Sequence, residues 1–228
     1  MNAFLYKLET LDESKIHAVL DSQIREHLRL CFPDSPEKFQ SHRIWHNTKP
    51  EYTVICRAGS AVSSHSPTAS GDAASGDRTF ENDTVIGHVA VVIRTITTTW
   101  NWRYNVASMQ GVSVSPEFRK TGLAVQMLER ALDEAKKRGY LYAILFCKEP
   151  LVAFYEKQGW RLTDDSVIMR NEQDSPIKMR SNCPMYKALT ETPFPEGPVD
   201  VHHPEQVGMR ANRGANEKNH REDFSKDH

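Results

Sequence analysis

The first apolar pattern is an alternation over residues 4–8, the period of a strand with one buried face. From residue 16 the period changes, and Ile16, Val19, Leu20, Ile24 and Leu28 recur at helical spacing, with Asp12 as the cap and Pro33 as the stop. Ser35-Pro36 has the form of a cap followed by a first helical turn, which predicts a second short helix running toward Trp45. The β-branched runs at 52–56 and 85–96 predict neighbouring antiparallel strands, and the chain then turns in a hairpin over 99–103. A strand over 106–114 leads into a helix over 122–138. Its apolar stripe is Leu123, Met127, Leu128, Ala131, Leu132 and Ala135, and Gly139 is its left-handed cap. Residues 140–147 are almost continuously apolar, as in a strand buried on both faces. Pro150 opens a further helix that Gly159 closes, and Ile168 and residues 185–189 suggest final strands. The elements add up to an α+β fold: a mixed, mostly antiparallel sheet flanked by helices, with one β-α-β crossover at its centre.

Two segments fall outside this pattern. Residues 58–80 are mostly small and polar and lack the apolar side chains that would offset ordering entropy, which predicts a mobile loop inserted in the domain. From residue 190 prolines give way to mixed charges, so 1–189 is expected to be one domain and 190–228 a disordered or surface-draped tail, with His202 and His203 solvated.

Charge and cysteine usage narrow the classes. With 29 basic and 30 acidic residues in 228, the formal net charge is -1, and no basic tract is interleaved with aromatics, so nucleic acid is not an expected partner. No apolar run reaches the ~18–20 residues that cross a bilayer, so no membrane partner is expected and the protein reads as cytoplasmic, with the nucleus left open. Cys31, Cys56, Cys147 and Cys183 have neither metal-site spacing nor the density of a disulfide scaffold; they read as reduced thiols, with Cys147 a small buried hydrophobe and no metal expected.

The stretch from Gly111 to Ala124, GVSVSPEFRKTGLA, carries the chemistry. Its RKTGLA portion lies between a strand end and a helix start, where backbone N–H groups and the helix dipole converge on an anion. Gly122 removes a side chain that would obstruct a phosphate, and Arg119 and Lys120 add positive charge. The spacing matches neither the G-x-x-x-x-G-K-[ST] of nucleotide hydrolases nor the G-x-G-x-x-G of dinucleotide folds.

The same segment resembles the [Q/R]-x-x-G-x-[G/A] acetyl-CoA site of the GNAT acetyltransferase superfamily. About thirty residues later LVAFYEKQGW, from Leu151 to Trp160, is similar to that family's closing helix. Within the superfamily the run over 85–160 looks most like aminoglycoside 2'-N-acetyltransferases and the nodulation N-acyltransferases. The resemblance implies the GNAT fold with a splayed central strand pair, and acetyl-CoA as cosubstrate. Val112, Ser113 and Val114 would lie along the pantetheine arm, with the Val112 N–H polarising the thioester carbonyl. Arg119, Lys120, Thr121, Gly122, Leu123 and Ala124 would hold the diphosphate. Tyr155 would contact the cofactor and protonate the departing sulfur. A phenol of pKa ~10 keeps its proton at neutral pH and suits that task. Gln110-Gly111 would form the bulge that opens the cofactor slot. The family's usual Asn is Lys148 here, so a side-chain contact to the pantetheine from that position is not implied.

An ammonium acceptor must first lose a proton, and Glu149 and His88 are the candidate bases beside ordered water. Asp34 and Glu37 would suit a cationic acceptor. Trp100, Trp102 and Tyr104 in the hairpin suggest packing or a homodimer contact. The expected reaction is acetyl transfer to a small-molecule amine by direct attack in a ternary complex. A protein lysine or amino-terminal acetyltransferase, or a CoA-binding regulatory domain without turnover, remains open.

Overall fold

The computed structural model describes residues 5–45, 48–61, 80–163, 167–171, 175–177 and 182–203. The chain divides into two compact units, Met1–Ala90 with Gly111–Ala131, and Val91–Gln110 with Leu132–His228.

In the first unit β1 (Leu5–Asp12) pairs antiparallel with β2 (Tyr52–Ala61), from Leu5 opposite Gly59 to Asp12 opposite Tyr52. β2 in turn pairs with β3 (Phe80–Thr98), whose residues up to Ala90 belong to this unit. The loop expected over 58–80 is therefore shorter at both ends. Ala58 and Gly59 join the ladder because Tyr6 and Leu5 lie opposite them, while 62–79 lies outside the described residues.

Helix α1 (Ala18–Cys31) begins later than the sequence suggests. Asp12 stays in β1 and a 3-10 turn over Glu13–Lys15 intervenes, so the cap is His17, whose Nδ1 accepts from the Leu20 N–H at 3.3 Å. Leu20, Ile24 and Leu28 form the buried face, packed with Phe39, Ile55 and Val85, whereas Val19 is 66% exposed. The helix expected from Ser35 toward Trp45 is only a 3-10 turn, Pro36–Phe39. Tertiary contacts replace a second helix: Phe32, Phe39 and Trp45 pack their rings together, and buried Arg43 donates to Asp21 at 2.6 Å and to Glu13. A Cβ at Gly87 would come within 2.6 Å of Met127 Sδ, so the glycine permits the close approach of α2 (Leu123–Lys137) to β3.

The second unit carries the strand order β6-β9-β5-β4-β3-β10-β7-β8. Here β4 is Arg103–Val114, β5 Tyr142–Cys147, β6 Arg161–Leu162, β7 Val167–Arg170, β8 Pro176–Ile177, β9 Cys183–Ala188 and β10 Val199–Val201. The hairpin between β3 and β4 places Trp100, 77% exposed, beside Asn101 at φ 62°. Tyr104 instead meets Tyr142 edge to face. β5 is buried at every position except Phe146 and pairs antiparallel with β9. Gly139 caps α2 at φ 85°, with the Tyr140 N–H donating to the Ala135 carbonyl at 3.1 Å.

The expected tail is corrected over its first part. Val199–Val201 is a strand between β3 and β7, antiparallel to the former and parallel to the latter. Its Val-Asp-Val alternation buries both valines, Val201 in a cluster with Ile96, Val106 and Met169, and turns Asp200 to Arg170 at 2.9 Å. His202, expected to be solvated, meets Thr97 Oγ1 through Nε2 at 2.8 Å, and His203 is buried. Residues 204–228 lie outside the described residues. Among the described residues no helix is long and apolar enough to cross a membrane.

Candidate active site

The anion loop is built by three local features. After β4 ends at Val114, the 3-10 turn Pro116–Phe118 carries the chain to Arg119, whose Nε donates to the Val114 carbonyl at 3.1 Å. Lys120 then adopts φ 63° and Gly122 φ 85°, and Thr121 Oγ1 donates to the Phe118 carbonyl at 2.7 Å, which holds the loop closed. The ladder of α2 starts with the Val125 and Gln126 N–H groups, both donating to the Gly122 carbonyl at 3.1 and 3.2 Å. The N–H groups of Gly122, Leu123 and Ala124 precede it, as the orphan donors of a helix start. A Cβ at Gly122 would have nothing within 4 Å, and Arg119, Lys120 and Thr121 are exposed around it. Open space, donors and cations fit a diphosphate. Leu123 itself is buried and starts the apolar stripe; Ala124 is half-buried.

Upstream, Gly111 has φ 59°, as the expected bulge requires. Its Cα is approached by His88, whose ring would lie 3.2 Å from a Cβ there. His88 Nδ1 donates to the Gly111 carbonyl at 2.9 Å, and Ser113 Oγ donates to the same oxygen at 3.2 Å. Ser113 is thus buried, with its side chain committed internally rather than offered to a ligand. His27 of α1 lies between two serines, Nε2 3.0 Å from Ser113 Oγ and Nδ1 3.1 Å from Ser115 Oγ. Val112 is half-buried and Val114 buried.

Burial keeps both imidazoles neutral. It lowers His27 to about 4 against the opposing hydrogen bond to the Ser113 main chain, and lowers His88 to about 3 against the hydrogen bond to the Gly111 carbonyl. His88, one of the two candidate bases, is fully buried, and burial disfavours its protonated form. Half-buried Cys31 has Sγ 3.7 Å from His27 Nε2; burial pushes its thiol up, with Arg119 acting in the opposite direction.

In the second unit, β4 and β5 run parallel and register only at Ala107–Ala143 and Ser108–Ile144, short of the bulge. β5 leads through a 3-10 turn, Glu149–Leu151, into α3 (Val152–Glu156). Lys148 and Glu149 are exposed there. Tyr155 is 5% exposed and sits edge to face with Phe154 and Trp160, at centroid distances of 5.0 and 6.1 Å. Burial holds the phenol well above its ordinary range, and the neighbouring Cys147 acts in the same direction. Gly159, at φ 78°, lets the chain reverse so that the Trp160 N–H donates to the Tyr155 carbonyl at 3.2 Å. Cys147 is buried, as expected.

With these features in place, the relatives are informative. Residues 78–163, which include both the anion loop and α3, match the Acetyltransferase (GNAT) domain family. Among solved structures the chain is similar to the GNAT family N-acetyltransferase YhbS from Escherichia coli, determined in complex with CoA, at 17% identity and TM-score 0.56 over 87% of this chain and 89% of that one. It is similar also to an acyl-CoA N-acyltransferase from Pseudomonas aeruginosa, at 12% identity and TM-score 0.51 over 81% and 100% of the two chains. Escherichia coli ElaA aligns at 11% identity and TM-score 0.50 over 80% and 99%. No curated protein matches the sequence. The fold is the GNAT fold, and within it residues 78–163 are what matches the GNAT acetyltransferase family.

The sequence singled out Val112, Ser113, Val114 and the residues from Arg119 to Ala124, and the structure brings them into one unit. Tyr155 and Glu149 belong to the other unit. The sequence did not single out His27 or Ser115, and it offered His88 only as one candidate base. No short-range signal points to them, because His27 and Ser113 are 86 positions apart and His88 and Gly111 are 23 apart.

Proposed function

We propose that the protein transfers the acetyl group of acetyl-CoA to a primary amine of a small molecule, by direct attack in a ternary complex. The observation that carries this reading is the anion loop: positive φ at Lys120 and Gly122, empty space over Gly122, and N–H donors ahead of the first turn of α2. Acetyl-CoA supplies an activated thioester. Arg119 to Ala124 hold its diphosphate, Val112 and Val114 offer main-chain groups to the pantetheine arm, and the Val112 N–H donates to the thioester oxygen as negative charge builds there.

Tyr155 donates its proton to the departing sulfur. The environment that raises its pKa supports this role, because the phenol stays protonated across the working pH range. Glu149, exposed at the start of the 3-10 turn, accepts the proton of the incoming ammonium group, whose removal at pH 7 costs about 4.6 kcal/mol for a pKa of ~10.4. A small-molecule acceptor is favoured by the likeness of residues 85–160 to the aminoglycoside and nodulation acyltransferases and by the near-zero net charge.

The test is release of CoA thiol from acetyl-CoA with pooled polyamines, aminoglycosides, amino acids, amino sugars and arylamines. Release with one pool supports the reading, and splitting that pool names the acceptor class. Acetyl-CoA binding without release from any pool would overturn the small-molecule reading in favour of a protein acceptor or a CoA sensor.

A further inference from the structure

The peptide unit joining Gly111 to Val112 is held from one side by two side chains. Its carbonyl oxygen accepts from His88 Nδ1 at 2.9 Å and from Ser113 Oγ at 3.2 Å. Among the described residues no peptide bond is cis, so the Val112 N–H points away from that carbonyl across the C–N bond. Side chains that fix the oxygen therefore fix the direction of the N–H. We propose that His88 and Ser113, with His27 behind Ser113, are positioning residues that aim and polarise the Val112 N–H as the oxyanion donor; this rests on the role of Val112 proposed above.

One set of proton positions satisfies the array from the Gly111 carbonyl outward. A carbonyl can only accept, so His88 carries its proton on Nδ1, and the ring is neutral because burial disfavours the charged form. Ser113 has one hydroxyl proton and gives it to Gly111, so its oxygen accepts from His27 Nε2–H at 3.0 Å. The other nitrogen of neutral His27 then accepts from Ser115 Oγ–H at 3.1 Å. The hydrogen bonds run in one direction, from Ser115 through His27 and Ser113 to the Gly111 carbonyl. Each bond polarises the next, by an order of ~10–30% per bond, and the last enhances the partial positive charge on the Val112 N–H.

A packing role alone does not account for His88. The side chain is fully buried, and its Nε2 has no hydrogen-bond partner among the described residues. A buried polar atom left unpaired costs about 1–3 kcal/mol, more than one neutral hydrogen bond typically returns, so an apolar side chain would serve packing better. What His88 gains is the Gly111 carbonyl. Gly111 is shaped to receive it: φ 59° turns the peptide, and a Cβ there would lie 3.2 Å from both Nδ1 and Cε1 of the imidazole.

The array can be read without the acceptor amine, through the carbonyl stretch of bound [1-13C]acetyl-CoA by isotope-edited infrared spectroscopy. A strong donor moves that band to lower wavenumber relative to free acetyl-CoA. With Ser113→Ala, which removes one donor at almost constant volume, the shift should shrink and kcat should fall about three- to tenfold, while acetyl-CoA affinity stays within about twofold. His88→Leu should do the same more strongly, and His88→Gln, whose amide can still donate to Gly111, should restore much of the band shift; Ser113→Ala carries the test if His88→Leu does not fold. A bound carbonyl band equal to that of the parent in Ser113→Ala, or His88→Gln behaving as His88→Leu does, would overturn the positioning role. Failure of acetyl-CoA to bind the parent would instead overturn the function on which this inference rests.

Discussion

Tyr155 and Trp160 meet edge to face, with ring centroids 6.1 Å apart and planes at 76°. The pair lies across the Gly159 reversal that closes α3, so the phenol ring is fixed by packing on an element of only five residues. Tyr155→Phe should keep that packing and lose the proton. We expect kcat to fall about 100-fold or more with acetyl-CoA affinity changed less than about twofold, from steady-state CoA release and calorimetry. Because burial raises the phenol pKa, no alkaline loss of rate due to this group should appear below pH ~10. Parent-like turnover of the phenylalanine variant would remove Tyr155 from the chemistry.

Gly122 tests the anion loop. With φ 85° and nothing within 4 Å of a Cβ, Gly122→Ala should cost only backbone strain, about 1–2 kcal/mol. Gly122→Glu adds a negative charge and fills the open space, so acetyl-CoA affinity should drop by about tenfold or more beyond the alanine variant. Equal affinities by calorimetry for the two variants would place the diphosphate elsewhere.

Acid should destabilise the protein through its buried histidines. His27, at about 4, and His88, at about 3, are depressed from their ordinary 6.5, so below pH 6.5 the unfolded chain binds more protons than the folded one. Their contribution is fully present above that pH and is lost as pH falls toward 4 and 3. The limiting slope is about 1.4 kcal/mol per pH unit for each ring. The groups facing them are Cys31, Glu117 and Arg119 around His27, and His27 and Arg43 around His88. Urea midpoints measured at pH 7.5 and 5.0 should differ clearly in the parent and by less in His88→Gln; equal differences would show that His88 charges freely in the folded state.

Strand β10 predicts that the chain needs residues beyond 189. A chain ending at Leu189 loses the buried Val199 and Val201 and the main-chain pairing to β3 and β7. At about 1.5–3 kcal/mol per buried valine, the melting temperature should fall by roughly 10 °C. An unchanged melting curve would show that β10 adds nothing to the sheet.

Much of the fold was legible because its signals are local. The stripe of Leu123, Met127, Leu128, Ala131, Leu132 and Ala135 is buried along α2, Gly139 caps that helix, and 142–147 is a buried strand. The misplaced boundaries were those where a partner decides. Ala58 and Gly59 read as loop because nothing in their own residues announces pairing with Tyr6 and Leu5. Residues 40–45 read as helix, but Arg43 is drawn to Asp21 and Glu13 on other elements. Val199–Val201 reads as tail, since the five residues between Pro198 and Pro204 carry too little periodicity to mark a strand.

By itself the sequence determined the class of fold and the anion loop. The alternations that set helices and strands, and the donors, glycine and cations proposed to receive a diphosphate, each lie within a few residues of one another. Only the tertiary structure decided what supports the Gly111–Val112 peptide. His27, His88, Ser113 and Ser115 come from a helix, two strands and the turn that follows β4, and His27 Nδ1 meets Ser115 Oγ across 88 positions of sequence. A hydrogen bond depends on ångström distances and on which ring nitrogen carries the proton, and residue order specifies neither until the chain has folded.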